Sequence, residues 1–169
     1  TFQPAVTYAV ARPVSIAGGD FNRDGKLDLV TAGYGEISIL RGRGGGTFDV
    51  EVNFPPGGLA VIAADLDADG RLDLATGDSD FGIGSGKVRV LVGNGDGTFQ
   101  SAVEYAVTDS PWSLTAADFD GDAALDLATA GHDHQAGSGG TSVLMGRGDG
   151  SFRDAMHFTP GGVAVVAAD

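Results

Sequence analysis

The chain has 169 residues, a formal net charge of −13, twenty-nine glycines and no cysteine. This length can bury one substantial core. The lack of cysteine excludes disulfides and thiolate metal centres, and with no basic stripe present nucleic acid is not an expected partner. No apolar run approaches the roughly twenty residues of a membrane span, and no stretch reads as a signal peptide. The acidity is local: three short segments hold eleven of the twenty-three acidic residues and three of the ten basic ones.

In chain order, Thr1-Phe2 resembles the end of a turn that recurs later, and an aromatic follows six residues on at Tyr8. A first strand, A, is expected at Pro13 to Ala17. The first acidic segment is next, Asp20-Phe21-Asn22-Arg23-Asp24-Gly25-Lys26-Leu27-Asp28, with oxygen-bearing side chains at positions 1, 3, 5 and 9 and glycine at position 6. Strand B spans Leu27 to Ala32, a short connection runs from Gly33 to Glu36, and strand C leads to the turn Gly42-Arg43-Gly44-Gly45-Gly46-Thr47-Phe48. Strand D then runs from Phe48 to Phe54.

The second unit repeats this order: strand A at Leu59 to Ala63, then Asp65-Leu66-Asp67-Ala68-Asp69-Gly70-Arg71-Leu72-Asp73, then strand B at Leu72 to Thr76. Its B–C connection carries an insertion over 78–86. Strand C is clearest here, Val88-Arg89-Val90-Leu91-Val92, where alternation and β-branching coincide. The turn Gly93-Asn94-Gly95-Asp96-Gly97-Thr98-Phe99 leads to strand D at Phe99 to Val107, with Tyr105 as the aromatic six residues on. The third unit has strand A at Trp112 to Thr115, the acidic segment Asp118-Phe119-Asp120-Gly121-Asp122-Ala123-Ala124-Leu125-Asp126, an insertion over 132–140, the turn Gly146-Arg147-Gly148-Asp149-Gly150-Ser151-Phe152, and Phe158. A further strand A is expected at Val163 to Ala167, before Asp169. The first aspartate of the motif thus falls at 20, 65, 118 and 169, a period of 45 to 53 residues.

Such oxygen-rich loops suit a hard cation, and calcium takes six to eight oxygen ligands. The expected ligands are Asp20, Asn22, Asp24 and Asp28 in the first loop, Asp65, Asp67, Asp69 and Asp73 in the second, and Asp118, Asp120, Asp122 and Asp126 in the third. The position-7 carbonyls of Lys26, Arg71 and Ala124 complete the sets, giving up to three Ca2+ ions per chain. Ala123 stands where glycine is expected; a left-handed alanine costs roughly 1–2 kcal/mol, so the third site is expected to be the weakest. An EF-hand needs Glu at position 12 and flanking helices. Position 12 here is Thr31, Thr76 or Thr129, each within a β pattern.

Four short antiparallel strands repeated at this period are the pattern of a propeller blade. With its D-x-[DN]-x-D-[GA]-x-L-D loops, the Leu-[AV]-Thr strands after them and the G-x-G-[DG]-G-[TS]-F turns, the chain resembles the FG-GAP/VCBS-type repeats, calcium-binding blades like those of integrin α-subunit propellers. The resemblance covers essentially the whole chain. It implies an all-β β-propeller of four-stranded antiparallel blades with calcium in the A–B loops. The expectation is a single partial domain over 1–169, with blades at about 11–54, 58–107 and 111–158 and stray strands at 1–10 and 161–169. Three blades fall short of a closed ring, so the expected partners include the remainder of a longer propeller or further copies of the chain.

Strand order places the A–B loops and C–D turns on one side. The B–C and D–A connections lie on the other, where propellers carry binding sites by family analogy. Candidate ligand-contacting residues there are Tyr34, Phe81, Trp112, His132 and His134. Two histidines and Asp133 make a sparse transition-metal set. Arg147-Gly148-Asp149 spells an adhesion tripeptide but occupies a repeated turn, so turn chemistry accounts for it. No nucleophile elbow or zincin pattern occurs. The expectation is a non-catalytic calcium-binding module for extracellular or cell-surface interaction with a protein or glycan. The alternatives are an accessory part of a larger secreted polysaccharide-active enzyme and a self-assembling architectural unit.

Overall fold

The computed structural model describes residues 4–10, 12–55, 57–80, 85–108, 110–133, 138–159 and 164–166. They form twelve strands and, among the described residues, no helix: β1 (Pro13–Gly19), β2 (Asp28–Gly33), β3 (Ile37–Gly44), β4 (Thr47–Phe54), β5 (Ala60–Ala64), β6 (Asp73–Asp80), β7 (Ser85–Leu91), β8 (Val103–Val107), β9 (Pro111–Ala117), β10 (Asp126–Asp133), β11 (Ser138–Leu144) and β12 (Met156–Phe158). Each consecutive set of four makes one antiparallel meander, giving three separate sheets. The first strands of the sheets lie side by side, β1 against β5 and β5 against β9.

The core lies between sheets. One cluster joins the first and second, with Phe21, Val30, Ile37 and Ile39 meeting Val61, Leu74 and Leu91. Another joins the second and third, with Leu66, Ala75, Val88 and Val90 meeting Leu114, Leu127, Leu144 and Phe152. Alternation along each strand produces this, since residues two apart share a face; a central sheet needs apolar side chains on both. Position 2 of the acidic loop is part of the packing. Phe21 stacks edge-on against Phe99 of the next sheet at 5.9 Å, whereas Phe119, on the last described sheet, is 45% exposed.

Polar latches also repeat from sheet to sheet. The Tyr8 hydroxyl accepts the Phe48 N–H at 3.1 Å, and the Tyr105 hydroxyl accepts the Phe152 N–H at 3.1 Å. Both ring pairs are edge-to-face at 5.7 Å. Ser15 Oγ accepts the Val61 N–H, and Ser113 Oγ makes the equivalent bond with Val165 N–H and also donates to its carbonyl. Residues 4–10 and 164–166, expected within single strands of adjoining units, belong to no strand. An isolated segment has no ladder partner to hold it as one.

The insertions differ from the loops expected. β6 continues to Asp80 and pairs Asp78 with Lys87, Ser79 with Gly86 and Asp80 with Ser85. β10 continues likewise, pairing His132 with Gly139 and Asp133 with Ser138. Added residues therefore lengthen the B–C hairpin two at a time and keep the backbone hydrogen-bonded.

Candidate metal centres in the acidic loops

All three acidic loops fold the same way. The position-1 carboxylate accepts the backbone N–H groups of positions 5 and 6: Asp20 from Asp24 and Gly25, Asp65 from Asp69 and Gly70, Asp118 from Asp122 and Ala123, with Asp118 accepting a third from Gly121 at 2.7 Å. The position-3 oxygen of Asn22, Asp67 or Asp120 accepts the N–H of position 5. Position 5 accepts the N–H of position 7, from Lys26, Arg71 or Ala124. Short side chains two residues apart thus curl the backbone into successive Asx turns.

The position-9 aspartates Asp28, Asp73 and Asp126 are 1%, 0% and 0% exposed. One oxygen of each closes its own loop, accepting the position-2 N–H of Phe21, Leu66 or Phe119. The other reaches the following turn, accepting the N–H of Gly42, Gly93 or Gly146 at 2.7, 2.8 and 2.8 Å. These aspartates therefore tie the A–B loop to the C–D turn of the same sheet. The turn must come close to allow this. A Cβ on Gly42, Gly93 or Gly146 would lie 2.1–2.2 Å from the carbonyl oxygen of Leu27, Leu72 or Leu125. The next turn glycines, Gly44, Gly95 and Gly148, serve a different need, a left-handed φ of 72–82°.

Oxygens of Asp65, Asp67 and Asp73 lie within 4.8 Å of one another, as do those of Asp118, Asp120 and Asp126. The first loop has the same hydrogen bonds, with an amide oxygen from Asn22 at position 3. This hard-oxygen set suits a divalent cation such as calcium. Burial, and the charges of Asp69 and Asp65, push the Asp67 carboxyl above its ordinary range despite the Asp69 N–H. Burial raises Asp73 as well, aided by Asp67 and Asp69 and opposed by the N–H groups of Gly93 and Leu66. Asp118 is instead lowered, chiefly by the N–H of Ala123. The position-5 carboxylates fall outside the two close groups. Asp24 pairs with Lys26 Nζ at 3.3 Å and Asp69 pairs with the Arg71 guanidinium.

Ala123 has the left-handed φ expected of it, 70°, but this does not set the third loop apart. Every loop has two left-handed residues, at positions 4 and 6: Arg23 and Gly25, Ala68 and Gly70, Gly121 and Ala123. Each pair contains one glycine and one residue with a Cβ, so the strain attributed to Ala123 is matched by Arg23 and Ala68 elsewhere. The third loop also has Ala124 where the others place Lys26 and Arg71, so no cation of its own offsets its four carboxylates.

Of the other candidate residues, Trp112 and His132 share one end of the paired strands β9 and β10, and Tyr34 belongs to the first blade. Tyr34 follows β2, 48% exposed, with the Arg12 guanidinium 5.8 Å over its ring. Trp112 is 41% exposed in β9, His132 is in β10, and Phe81 and His134 lie outside the described residues. Within Arg147-Gly148-Asp149, Arg147 donates to the Phe152 carbonyl and Asp149 accepts from Ser151. Both side chains stabilise their own turn.

Four-stranded meanders packed face to face, each led by its first strand and each carrying an acidic A–B loop, define a β-propeller of acidic-loop blades. The family model of the FG-GAP-like repeat matches residues 20–76 and 77–129, and the chain belongs to that family. It is 28% identical over 163 residues to a phosphatidylinositol-glycan-specific phospholipase D of Rattus norvegicus, an alignment covering 73% of the chain and 19% of that protein. The chain thus spans about a fifth of that relative. Its fold matches a solved Agrocybe aegerita lectin described as specifically recognising non-reducing terminal N-acetylglucosamine. That match has a TM-score of 0.52 and 23% identity over 86% of this chain and 38% of the lectin. Among the described residues no helix is long and apolar enough to cross a membrane.

Proposed function

We propose that the chain is a non-catalytic propeller segment whose blades are held by calcium and which binds a protein or glycan outside the cell. The observation that carries this reading is the convergence of three carboxylates in the second and third loops, each group including a buried aspartate tied to the neighbouring turn. The Lys26, Arg71 and Ala124 carbonyls are the backbone ligands of the proposal. The ion acts structurally, neutralising like charges that burial otherwise forces together. FG-GAP-like repeats are typical of extracellular proteins, where calcium is abundant enough to fill sites of modest affinity. The lectin of similar fold supports a glycan as ligand. Exposed Val14 and Ile16 on the outer face of the first sheet support a covering partner, either further blades or a second copy.

The phospholipase match favours a second reading, an accessory propeller within a larger secreted enzyme, since the chain corresponds to a fifth of that enzyme. Calorimetric titration of the chelator-treated chain with calcium tests the metal reading. Saturable binding with stoichiometry up to three supports it, and absence of binding at millimolar calcium rejects it. A glycan array run in calcium, together with the sequence flanking this segment, separates the two settings.

A further inference from the structure

The three blades act as internal controls for one another, and one position set fails to repeat. In the second sheet Arg89 lies in β7 between Thr76 of β6 and Glu104 of β8. The same row in the first sheet is Thr31, Ser38 and Asn53, and in the third it is Thr129, Ser142 and His157. Two residues along β6 from Thr76 stands Asp78, at the position of Gly33 and Gly131. Blades of this fold therefore form with glycine and serine where the second carries Asp78 and Arg89. Ser38 and Ser142 are each 1% exposed, so the arginine position lies in the interior.

Placing a guanidinium there carries a desolvation cost that the sister blades avoid. Arg89, 7% exposed, meets it with two charge-assisted bonds, Nη1 to Asp78 at 2.6 Å and Nε to Glu104 at 2.7 Å. Lys87 Nζ donates to the other Glu104 oxygen at 2.9 Å. The arrangement surrounds a cavity of about 250 Å³ lined by Asp78, Ser79, Lys87 and Arg89. The Asp78, Lys87 and Glu104 side chains keep 32%, 46% and 45% of their surface exposed, so charged donors and acceptors face solvent on a fixed base.

We infer that this cavity in the second blade is a binding site for a neutral sugar ring. The two acids and two bases cancel, which gives neither anions nor cations an advantage. The lining is polar, which disfavours an apolar ligand. A sugar hydroxyl both donates and accepts, so adjacent hydroxyls can donate to Asp78 and accept from Lys87, with Arg89 holding the carboxylate in place. The volume suits one ring, below the usual range for larger ligands. The inference rests on the proposed glycan-binding role and names the site within it.

The test is amide chemical-shift titration of the isotope-labelled full chain in calcium, using the methyl glycosides of glucose, galactose, mannose and N-acetylglucosamine. At least one is expected to give saturable shifts at Asp78, Ser79, Lys87 and Arg89. Asp78→Gly, Arg89→Ser and Glu104→Asn together install the first blade's residues, which avoids leaving a single buried charge unpaired. That variant is expected to keep its melting midpoint in calcium within a few degrees of wild type and to lose sugar affinity at least tenfold. Lys87→Ala alone, at the exposed rim, is expected to weaken binding several-fold. The inference is overturned by no saturable shift with any glycoside, by binding that survives either variant, or by collapse of the triple variant alongside a silent wild type. Calcium stabilisation measured on the same samples separates failure of the sugar site from failure of the metal reading.

Discussion

Replacing Asp73 by alanine and Asp67 by asparagine separates the structural and ion-holding parts of one loop. Asp73 accepts the N–H groups of Leu66 and Gly93, each at 2.8 Å, with no solvent exposure of its own. Removing it strands two buried donors at about 1–3 kcal/mol each, a central figure of about 4 kcal/mol. For a chain of this size each kcal/mol moves the melting midpoint by roughly 2–4 °C, so Asp73→Ala should melt about 8–16 °C lower even in excess chelator. Asp67→Asn keeps an oxygen to accept the Asp69 N–H, a bond of 3.2 Å, and removes a charge that burial and its neighbours oppose. In chelator its midpoint should equal or exceed that of wild type. In calcium it should fall below wild type, because one site filled to ten times its Kd adds about 1.4 kcal/mol. Scanning calorimetry of the three proteins, each with excess calcium and excess chelator, reads all six values. The reasoning fails if Asp73→Ala melts with wild type in chelator, or if Asp67→Asn is equally destabilised in both conditions.

The third loop offers a paired test of backbone strain: Ala123→Gly should raise stability and Gly121→Ala lower it, each by about 1 kcal/mol, in chemical denaturation. A loss on Ala123→Gly would mean that φ of 70° carries no strain there. Tyr105→Phe keeps the edge-to-face pair with Phe152 and removes the acceptor of its N–H, so unfolding free energy should drop by about 1–2 kcal/mol. Lys87 and Arg89 hold Glu104 below its ordinary value of 4.5. A lowered carboxyl contributes stability that is present above the unfolded value and lost as pH falls through the folded one. The midpoint of wild type should therefore fall more steeply below about pH 4.5 than that of Glu104→Gln, and parallel curves would reject the ion-pair account.

Much of this protein could be read from its sequence, because the relevant signals are local. A strand shows itself by alternation over a few residues. The acidic loops show themselves through side chains that bond backbone N–H groups two to five residues away, and a period of about fifty residues reveals the blades. Tertiary structure decided what depends on partners distant along the chain. The double duty of Asp28, Asp73 and Asp126 appears only when a turn 14–20 residues later arrives beside them. The first glycine of each turn reads as loop punctuation until a leucine carbonyl is found where its Cβ would be. The strain at Ala123 could be foreseen, but not its balance by Gly121, because the left-handed φ at position 4 falls on arginine or alanine in the other two loops. Likewise Asp78, Arg89 and Glu104 lie 11 to 26 positions apart and become one charged cluster only through strand register, which sets Arg89 beside Glu104 and one same-face pair along from Asp78. Local backbone chemistry is written in adjacent residues. Which side chains share a dry interior is set by the packing of one sheet on the next.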